Sequence, residues 1–254
     1  MSRQDAPSGL SVVVPMFNAE RQIATSLAAI ADYLAARPGT HEIVVVDDGS
    51  SDRSVELARA AHLPEGVACE VLANAVNRGK GFSVRRGLAV ARGRHVLFTD
   101  ADLAYPVDNF DRVLEALEAH ADVAIASRVH PESRYVTSPR FFRRIYTRHT
   151  LGRAFNGLTR LLLVPGVHDT QAGLKGFRRS ALAALLPRLT LDRFSFDVEL
   201  LVVARELGLA LAEVPVTFEY RNEPSTLELG RDSARMLTDL LRVHARRRRG
   251  GYRP

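Results

Sequence analysis

The apolar run Val96–Thr99 ends in two carboxylates one residue apart, Asp100 and Asp102. A short run of this kind predicts a buried strand, and ligands of open α/β sheets collect where such strands end. Mg²⁺ and Mn²⁺ prefer oxygen ligands, and a cation held by one or two carboxylates keeps positions open for phosphate oxygens. The pair therefore predicts a cation site that binds a nucleotide diphosphate. The structural alternative is a polar turn in which Asp102 caps the next helix.

Three further polar clusters follow predicted strands. Pro15 is expected to end the first strand, and Asn18 to cap the helix after it. Asp47 ends the second strand, where its carboxylate can accept hydrogen bonds from a ribose or a base edge. Lys80 lies between two glycines at a helix start, where backbone N–H groups can approach a phosphate. We expect all four clusters to converge on one edge of a parallel sheet.

The elements that must position these residues alternate in the first half of the chain. Strands are predicted at 10–14, 42–47, 68–73, 95–100 and 122–127, and helices at 19–36, 51–62, 81–91 and 107–120. Such alternation is typical of the α/β class, with a Rossmann-like, mostly parallel central sheet and helices on both faces. Later elements are an Arg-rich helical region at 138–163, strands at 173–178 and 210–220, a helix at 196–207 and a final helix from about 230.

No linker divides the chain, so we predict that residues 1–254 form a single domain. Residues 10–127 are the predicted nucleotide-binding half, residues 128–229 the acceptor half, and residues 230–254 a basic C-terminal helix and tail. The hydrophobic content of 46% supports a sizeable core and excludes a disordered or fibrous protein. The single Cys69 excludes an internal disulfide and is expected to be a buried filler in a cytoplasmic protein without a signal peptide or membrane span.

The formal net charge of +6 is concentrated near the C-terminus. Six arginines and one histidine lie there: Arg242, His244, Arg246, Arg247, Arg248, Arg249 and Arg253. They follow an amphipathic segment, and each arginine near an anionic bilayer adds about 1 kcal/mol of attraction. Peripheral attachment to a membrane is one interpretation, and a solvated tail is the other.

In order and spacing, the motifs resemble family 2 glycosyltransferases of the GT-A fold, in the branch of polyprenyl (dolichyl) phosphate sugar synthases. The resemblance covers about residues 10–245 and rests on Val12–Pro15 with Asn18 and Glu20, Val46–Ser50, Asn77–Gly81, Asp100–Leu103, Ala126–Arg128, Asp169–Phe177, Phe196–Leu200 and Glu213–Val216. The stretches Asp169–Phe177 and Phe196–Leu200 look most like dolichyl-phosphate glucosyltransferases.

The resemblance implies a site with two sides. Its donor-binding residues would be Pro15, Phe17, Glu20, Asp47, Lys80, Asp100, Ala101 and Asp102. Asp100 and Asp102 would hold Mg²⁺ or Mn²⁺. Its acceptor-binding residues would be Arg128, Asp169, Gln171 and an arginine of the following helix, Arg148 or its rival Arg143. The catalytic residues implied are Asp102, Arg128 and Asp197.

The role of Asp197 stays open between a general base and an orienting group. A hydroxyl acceptor must give its proton to a base, whereas a phosphomonoester with a second pKa near 6 is already largely ionised at neutral pH. The many arginines between Arg128 and Arg160 fit a phosphate acceptor. Three departures from the family pattern are Ala19, Ala104, where mannosyl members often carry Gln, and Ser225-Thr226, where Ser-Lys is common.

The sequence therefore predicts an inverting transferase that moves a hexose to a polyprenyl phosphate at the cytoplasmic face of the membrane. UDP-glucose is the favoured donor, and GDP-mannose is the next. One alternative is a soluble hydroxyl acceptor with Asp197 as base. Another is a non-catalytic nucleotide-sugar or nucleic-acid-binding module, against which the intact acidic motifs and the lack of aromatic stacking platforms argue. No nucleic-acid partner is expected, and no oligomeric state is predicted.

Overall fold

The computed structural model describes residues 9–136, 155–219 and 229–253. Its strands are β1 (Leu10–Met16), β2 (His41–Asp47), β3 (Val67–Ala73), β4 (His95–Thr99), β5 (Val123–Ser127), β6 (Arg134–Val136), β7 (Leu174–Arg178), β8 (Leu211–Pro215) and β9 (Thr217–Glu219). Its helices are α1 (Ile23–Ala35), α2 (Ser54–Arg59), α3 (Lys80–Val90), α4 (Asn109–Ala119), α5 (155–162), α6 (Arg179–Leu185), α7 (Phe196–Glu206) and α8 (Leu229–Arg248), with a 3-10 turn at Leu186–Arg188.

Seven strands form one sheet in the order β3-β2-β1-β4-β7-β5-β8. All neighbours run parallel except β7, which is antiparallel to both β4 and β5. The chain moves outward from β1 to β3 and then returns to the other side of β1 with β4. The strand order thus reverses between β1 and β4, and such a reversal is where α/β sheets form their ligand crevice.

The central strands form because they are runs of β-branched residues buried on both faces. Val12, Val13 and Val14 of β1 have no solvent exposure, and neither does the stretch Ile43–Val46 of β2. Burying each such side chain contributes about 1.5–3 kcal/mol before the entropy of ordering is subtracted. The predicted α/β sheet flanked by helices is therefore confirmed.

The antiparallel strand β7 brings a second set of residues to the crevice. Its first residue, Leu174, pairs with Thr99, the last residue of β4. The loop that precedes β7 therefore lies at the same edge as the carboxylates that follow β4. In an all-parallel sheet this loop would lie at the opposite edge.

Several local predictions were wrong. The strand predicted at 210–220 is two strands, β8 and β9, separated by Val216. Pro15 lies inside β1 rather than ending it. It is tolerated there because the pairing of β1 with β4 has already ended at Val13. Cys69 is half-buried rather than buried, and burial together with Glu70 raises the pKa of its thiol to about 11.

Much of the predicted Arg-rich helical region lies outside the described residues; the described part, residues 155–162, is helical. Helix α6 was not predicted. Within the three described ranges, no helix is both long and apolar enough to cross a bilayer.

Candidate active site

The turn after β4 presents the two predicted cation ligands. The hydroxyl of Ser26 on α1 donates to the carbonyl of Ala101 at 2.7 Å, which fixes the middle of the turn and buries the Ala101 side chain. The carboxylate of Asp102 accepts the backbone N–H of Ala104 at 3.0 Å. Helix α4 begins only at Asn109, so Asp102 does not cap it, and the capping alternative is wrong.

A lysine approaches the same turn from α3. The Nζ of Lys80 lies 2.6 Å from Oδ1 of Asp100, and both side chains are partly exposed, by 21% and 34%. Burial opposes the charge of Lys80, but the carboxylates of Asp100, Asp197 and Asp102 outweigh it and raise the pKa of this lysine. The charge of Lys80 is therefore surrounded by three carboxylates at the crevice.

The other oxygen of Asp100 lies against the backbone of Gly173. A Cβ at position 173 would lie 2.0 Å from Oδ2 of Asp100 and 3.4 Å from the ring of Tyr105. Only glycine leaves room for the carboxylate here, so the start of β7 determines where Asp100 can lie.

The donor atoms at this turn fit a divalent cation. Among the residues that the structure describes, no group of three or more His, Cys, Asp or Glu could hold a metal by itself. Mg²⁺ is commonly bound by one or two carboxylates together with substrate phosphates, which matches Asp100 and Asp102. In the structure this carboxylate is paired with the ammonium of Lys80, 2.6 Å from Oδ1 of Asp100.

Two carboxylates at the end of β2 organise the neighbouring loops. Asp47 accepts the backbone N–H groups of Gly49 and Ser50 at 3.1 Å. Asp48 accepts the N–H of Arg78 at 2.9 Å and that of Gly79 at 2.7 Å, and so holds the loop that carries Lys80. Sequence reasoning missed this role of Asp48, although an acidic residue in an Asp-Asp-Gly turn was a usable signal.

The loop after β1 is attached to the loop after β2. The side-chain oxygen of Asn18 accepts the N–H of Ser51 at 2.9 Å, so Asn18 bridges two strand ends instead of capping α1, which begins at Ile23. Glu20 is exposed and accepts the N–H of Arg53 at 3.2 Å. Of the donor-binding residues predicted in this loop, Pro15 is buried, Phe17 is half-buried and Glu20 is exposed.

At the other end of the crevice, Arg128 follows β5 and forms a two-pronged ion pair with Asp169. Nε and Nη2 lie 2.7 and 2.8 Å from the two carboxylate oxygens, and the backbone N–H of Arg128 donates to the same group at 3.0 Å. Burial opposes the charge of Asp169, but these contacts lower its pKa. Asp169 therefore orients Arg128, whose side chain remains 29% exposed.

The Asp169 loop is itself held from two sides. Glu213 on β8 accepts the N–H of Asp169 at 2.9 Å, and Asn156 on α5 accepts the hydroxyl of Thr170 at 2.7 Å. The predicted acceptor residue Gln171 is half-buried, and its backbone N–H lies 3.4 Å from Asp169. Arg143 and Arg148, and also Ser225-Thr226, lie outside the described residues.

Tyr105 joins the two ends of the crevice. Its buried ring packs edge-on against Phe218, with centroids 5.1 Å apart, and the Arg128 guanidinium lies 5.6 Å from the Phe218 centroid. Burial raises the pKa of Tyr105. Because Gly173 lies against both Asp100 and the ring of Tyr105, side-chain contacts run from the carboxylates after β4 to Arg128.

Asp197 lies at the first turn of α7, between these two ends. Its carboxylate accepts a hydrogen bond from the Nζ of Lys175 at 2.6 Å, in a pair that is almost entirely buried. A Cβ at Gly81 would lie 2.5 Å from Cβ of Phe196, so α3 and α7 begin in contact and bring Lys80 towards Asp197. Sequence reasoning missed Lys175, although a lysine inside an otherwise apolar strand was a signal.

The C-terminal segment is partly folded back on α7. The buried Tyr252 donates its hydroxyl to Glu199 at 2.9 Å, and Arg247 pairs with Glu206 at 2.7 Å. Arg246 lies 3.6 Å from Glu199, and Arg253 lies 3.6 Å from Glu206. Three of the arginines predicted to attract a membrane thus form ion pairs with α7, although Arg253 stays 72% exposed.

Comparison with known proteins identifies relatives over most of the chain. A dolichyl-phosphate beta-glucosyltransferase of Drosophila melanogaster is 37% identical over 250 residues, 91% of this chain and 75% of that protein. The Homo sapiens protein of the same name is 34% identical over 227 residues, 84% of this chain and 68% of that protein.

Among solved structures, glucosyl-3-phosphoglycerate synthase from Mycobacterium tuberculosis bound to UDP has a similar fold. Its TM-score is 0.69 at 22% identity, over 94% of this chain and 80% of that one. The same enzyme has also been solved with Mn²⁺ and UDP-glucose. The family described as glycosyl transferase family 2 matches residues 11–186, which include β1, the turn after β4, Arg128 and Asp169. The chain therefore belongs to glycosyl transferase family 2.

Proposed function

We propose that the protein is an inverting glucosyltransferase that moves glucose from UDP-glucose to a polyprenyl phosphate. The observation that carries this proposal is the arrangement at one edge of the sheet: Asp100 and Asp102 follow β4, with Lys80 2.6 Å from Asp100, and the partly exposed Arg128 follows β5. The names of the Drosophila and human relatives support glucose as the sugar and a dolichyl phosphate as the acceptor. GDP-mannose is the second choice of donor.

The carboxylate end suits the departing nucleotide. As the bond between the anomeric carbon and the diphosphate oxygen breaks, negative charge develops on that oxygen, and a fixed cation lowers the barrier. Lys80 supplies one such charge from the start of α3. A Mg²⁺ or Mn²⁺ ion held by Asp100 and Asp102 would add Lewis-acid stabilisation of the same oxygens.

The arginine end suits an acceptor that arrives as an anion. Arg128 is held by Asp169 through Nε and Nη2, so its orientation is fixed before the acceptor binds. A phosphate monoester is largely ionised at neutral pH, so its oxygen can attack the anomeric carbon without losing a proton to the protein. Attack from the face opposite the departing UDP inverts the anomeric configuration.

Helix α8 provides a surface for peripheral contact with the cytoplasmic face of a membrane. Leu237 and Leu241 are exposed by 47% and 57% and lie one turn apart, while Leu240 and Val243 are buried against the core. Arg242 is also exposed. An exposed apolar pair beside a cation is the pattern of an interfacial helix, and it would bring the crevice close to a lipid acceptor.

The test is transfer of label from UDP-[¹⁴C]glucose to purified dolichyl phosphate in detergent, with extraction into organic solvent. We expect extractable radioactivity that depends on Mg²⁺ or Mn²⁺, and a lower rate with GDP-[¹⁴C]mannose. Dolichol without phosphate is the matched control acceptor and should give no product. Label found only in water-soluble products would overturn the lipid acceptor and favour a soluble hydroxyl acceptor.

Membrane contact is tested separately by sedimentation with vesicles that contain phosphatidylserine. The double substitution of Leu237→Gln and Leu241→Gln should reduce the pelleted fraction while UDP-glucose binding is kept. Deleting the basic tail is a poorer test, because Tyr252 and Arg247 also hold α7. Equal sedimentation of the double variant and the wild type would exclude α8 as the contact.

A further inference from the structure

Lys175 is a charged residue without solvent exposure in the middle of the sheet. It lies on β7 opposite Phe98 of β4, and its side chain is 0% exposed. Fully buried lysines are rare because the ammonium loses its hydration, and an apolar side chain of similar volume is often as stable or more stable at such a position. Packing alone therefore does not explain why a lysine occupies this strand.

The ammonium of Lys175 is directed towards the site. It donates to Oδ1 of Asp197 and to the carbonyl of Ala172, both at 2.6 Å, and lies 5.3 Å from the ring centroid of Phe98. The Nζ of Lys80 lies 5.7 Å from the same centroid. The ring of Phe98 thus lies near both ammonium groups, one inside the protein and one at the crevice.

Groups on three elements stabilise the negative charge of Asp197. Lys175 reaches it from β7, the charge of Lys80 on α3 is coupled to it, and the N-terminus of its own helix α7 favours a carboxylate in the first turn. Lys80 is in turn paired with Asp100 at 2.6 Å.

We infer that Lys175 is a positioning residue for sugar transfer: it holds Asp197 as an ion-paired anion at the start of α7, next to the start of α3, and it keeps Asp197 from acting as a general base. A carboxylate that accepts a hydrogen bond from a buried ammonium is stabilised in its ionised form and is a poor proton acceptor. The inference rests on the proposed function, because only an acceptor that arrives ionised can react without a base.

The decisive experiment measures proton uptake when UDP-glucose binds, with Mg²⁺ at a fixed saturating concentration and no acceptor present. Calorimetry in buffers of different ionisation enthalpy gives the number of protons between pH 6 and 8. UDP-glucose has no phosphate monoester, so the ligand itself does not titrate in this range. The variants are Lys175→Met and the double substitution Lys175→Met with Asp197→Asn.

In Lys175→Met the buried carboxylate of Asp197 has lost its counter-ion, so an incoming diphosphate would place a second negative charge near an unpaired carboxylate. We expect this variant to take up as much as one proton more than the wild type, and its affinity to fall as the pH rises. The double variant, which has no buried carboxylate at this position, should return to the wild-type proton count. Equal proton counts for Lys175→Met and the wild type would overturn the inference.

Should Lys175→Met fail to fold, the double variant decides, because it leaves neither buried charge unpaired. We expect it to keep more than a tenth of wild-type transfer to dolichyl phosphate. Loss of a general base typically costs a factor of about 10² to 10⁴, so a loss of a hundredfold or more would overturn the inference. Failure of the lipid acceptor itself is distinguishable, since the binding experiment contains no acceptor.

Discussion

The carboxylates on the two sides of β4 are held in different ways. Asp47 and Asp48, after β2, accept hydrogen bonds from backbone N–H groups of the neighbouring loops. Asp169 and Asp197, on the other side of β4, are paired with buried or half-buried cations. The first mode fixes loops around a carboxylate that keeps its charge, and the second neutralises the charge within a pair.

Asp100 lies between these two regions, and its ion-pair partner is the one most easily exchanged. Its pair with Lys80 is partly exposed, with 21% of Lys80 and 34% of Asp100 accessible, whereas the pair of Lys175 with Asp197 is almost fully buried. An exposed pair costs less to separate, because water and incoming ions can replace the partner. The carboxylates on both sides of β4 are therefore fixed, whereas Asp100 can exchange Lys80 for another cation.

The largest expected effect comes from removing the carboxylate charge next to Asp100, at Asp102. Asp102→Asn should lower turnover about a hundredfold, because a group that stabilises charge developing in the transition state is typically worth a factor of about 10² to 10³. Initial rates of glucose transfer measure the effect. Asp108→Asn, at an exposed position before α4, is the matched control and should retain wild-type turnover. Full activity in EDTA would contradict a role for the cation.

A smaller effect is expected when the exchangeable carboxylate is displaced without changing its charge. Gly173→Ala places a Cβ within 2.0 Å of Asp100 unless that carboxylate moves. We expect the affinity for UDP-glucose to fall at least tenfold, as measured by calorimetry. Gly157→Ala is the control, since a Cβ at that position has no neighbour within 4 Å. Equal affinities of both variants would show that the position of Asp100 does not limit donor binding.

Arg128→Lys tests the paired region. A lysine cannot keep the two-pronged contact with Asp169 and also present a charge to the acceptor, so the KM for dolichyl phosphate should rise about fivefold to tenfold. The KM for UDP-glucose should stay unchanged. Arg134→Lys, at an exposed position on β6, should leave both values as they are. An unchanged acceptor KM in Arg128→Lys would remove this arginine from the acceptor site.

The smallest expected effect is on stability in acid. The pKa of Asp169 is lowered in the folded protein, so its contribution is present above the unfolded pKa of about 4 and is lost as the pH falls through the lower folded pKa. The free energy of unfolding should therefore decrease below about pH 4. Arg128→Lys should weaken this dependence in urea titrations at several pH values. An identical slope in both proteins would contradict the Asp169 contribution.

The first half of the fold was predictable because its signals are local. The Val-rich runs of β1 and β2 are bounded by turn residues, and the turns themselves contain Asp47, Lys80 and Asp100. The direction of β7 was not predictable, because it depends on pairing with β4 and β5 across long stretches of chain. The buried pair of Lys175 with Asp197 follows from that direction and was missed with it.

The acceptor side was predicted only in part, for a related reason. Arg128 and Asp169 were both proposed as acceptor contacts, but the carboxylate of Asp169 is occupied by Arg128. Asp169 therefore orients Arg128, although both residues belong to motifs that predicted acceptor contacts. The assignment of Arg143 or Arg148 as a second phosphate ligand remains a prediction.

The amphipathic build of α8 has a geometric consequence. With Leu240 and Val243 directed inward and Leu237 and Leu241 outward, the helix can meet a flat surface on one side only. Landing on a bilayer by that side would fix the tilt and rotation of the entire molecule, including the direction in which the crevice opens. The protein rotates freely in solution, but once bound in this way it would have a single orientation relative to the lipid.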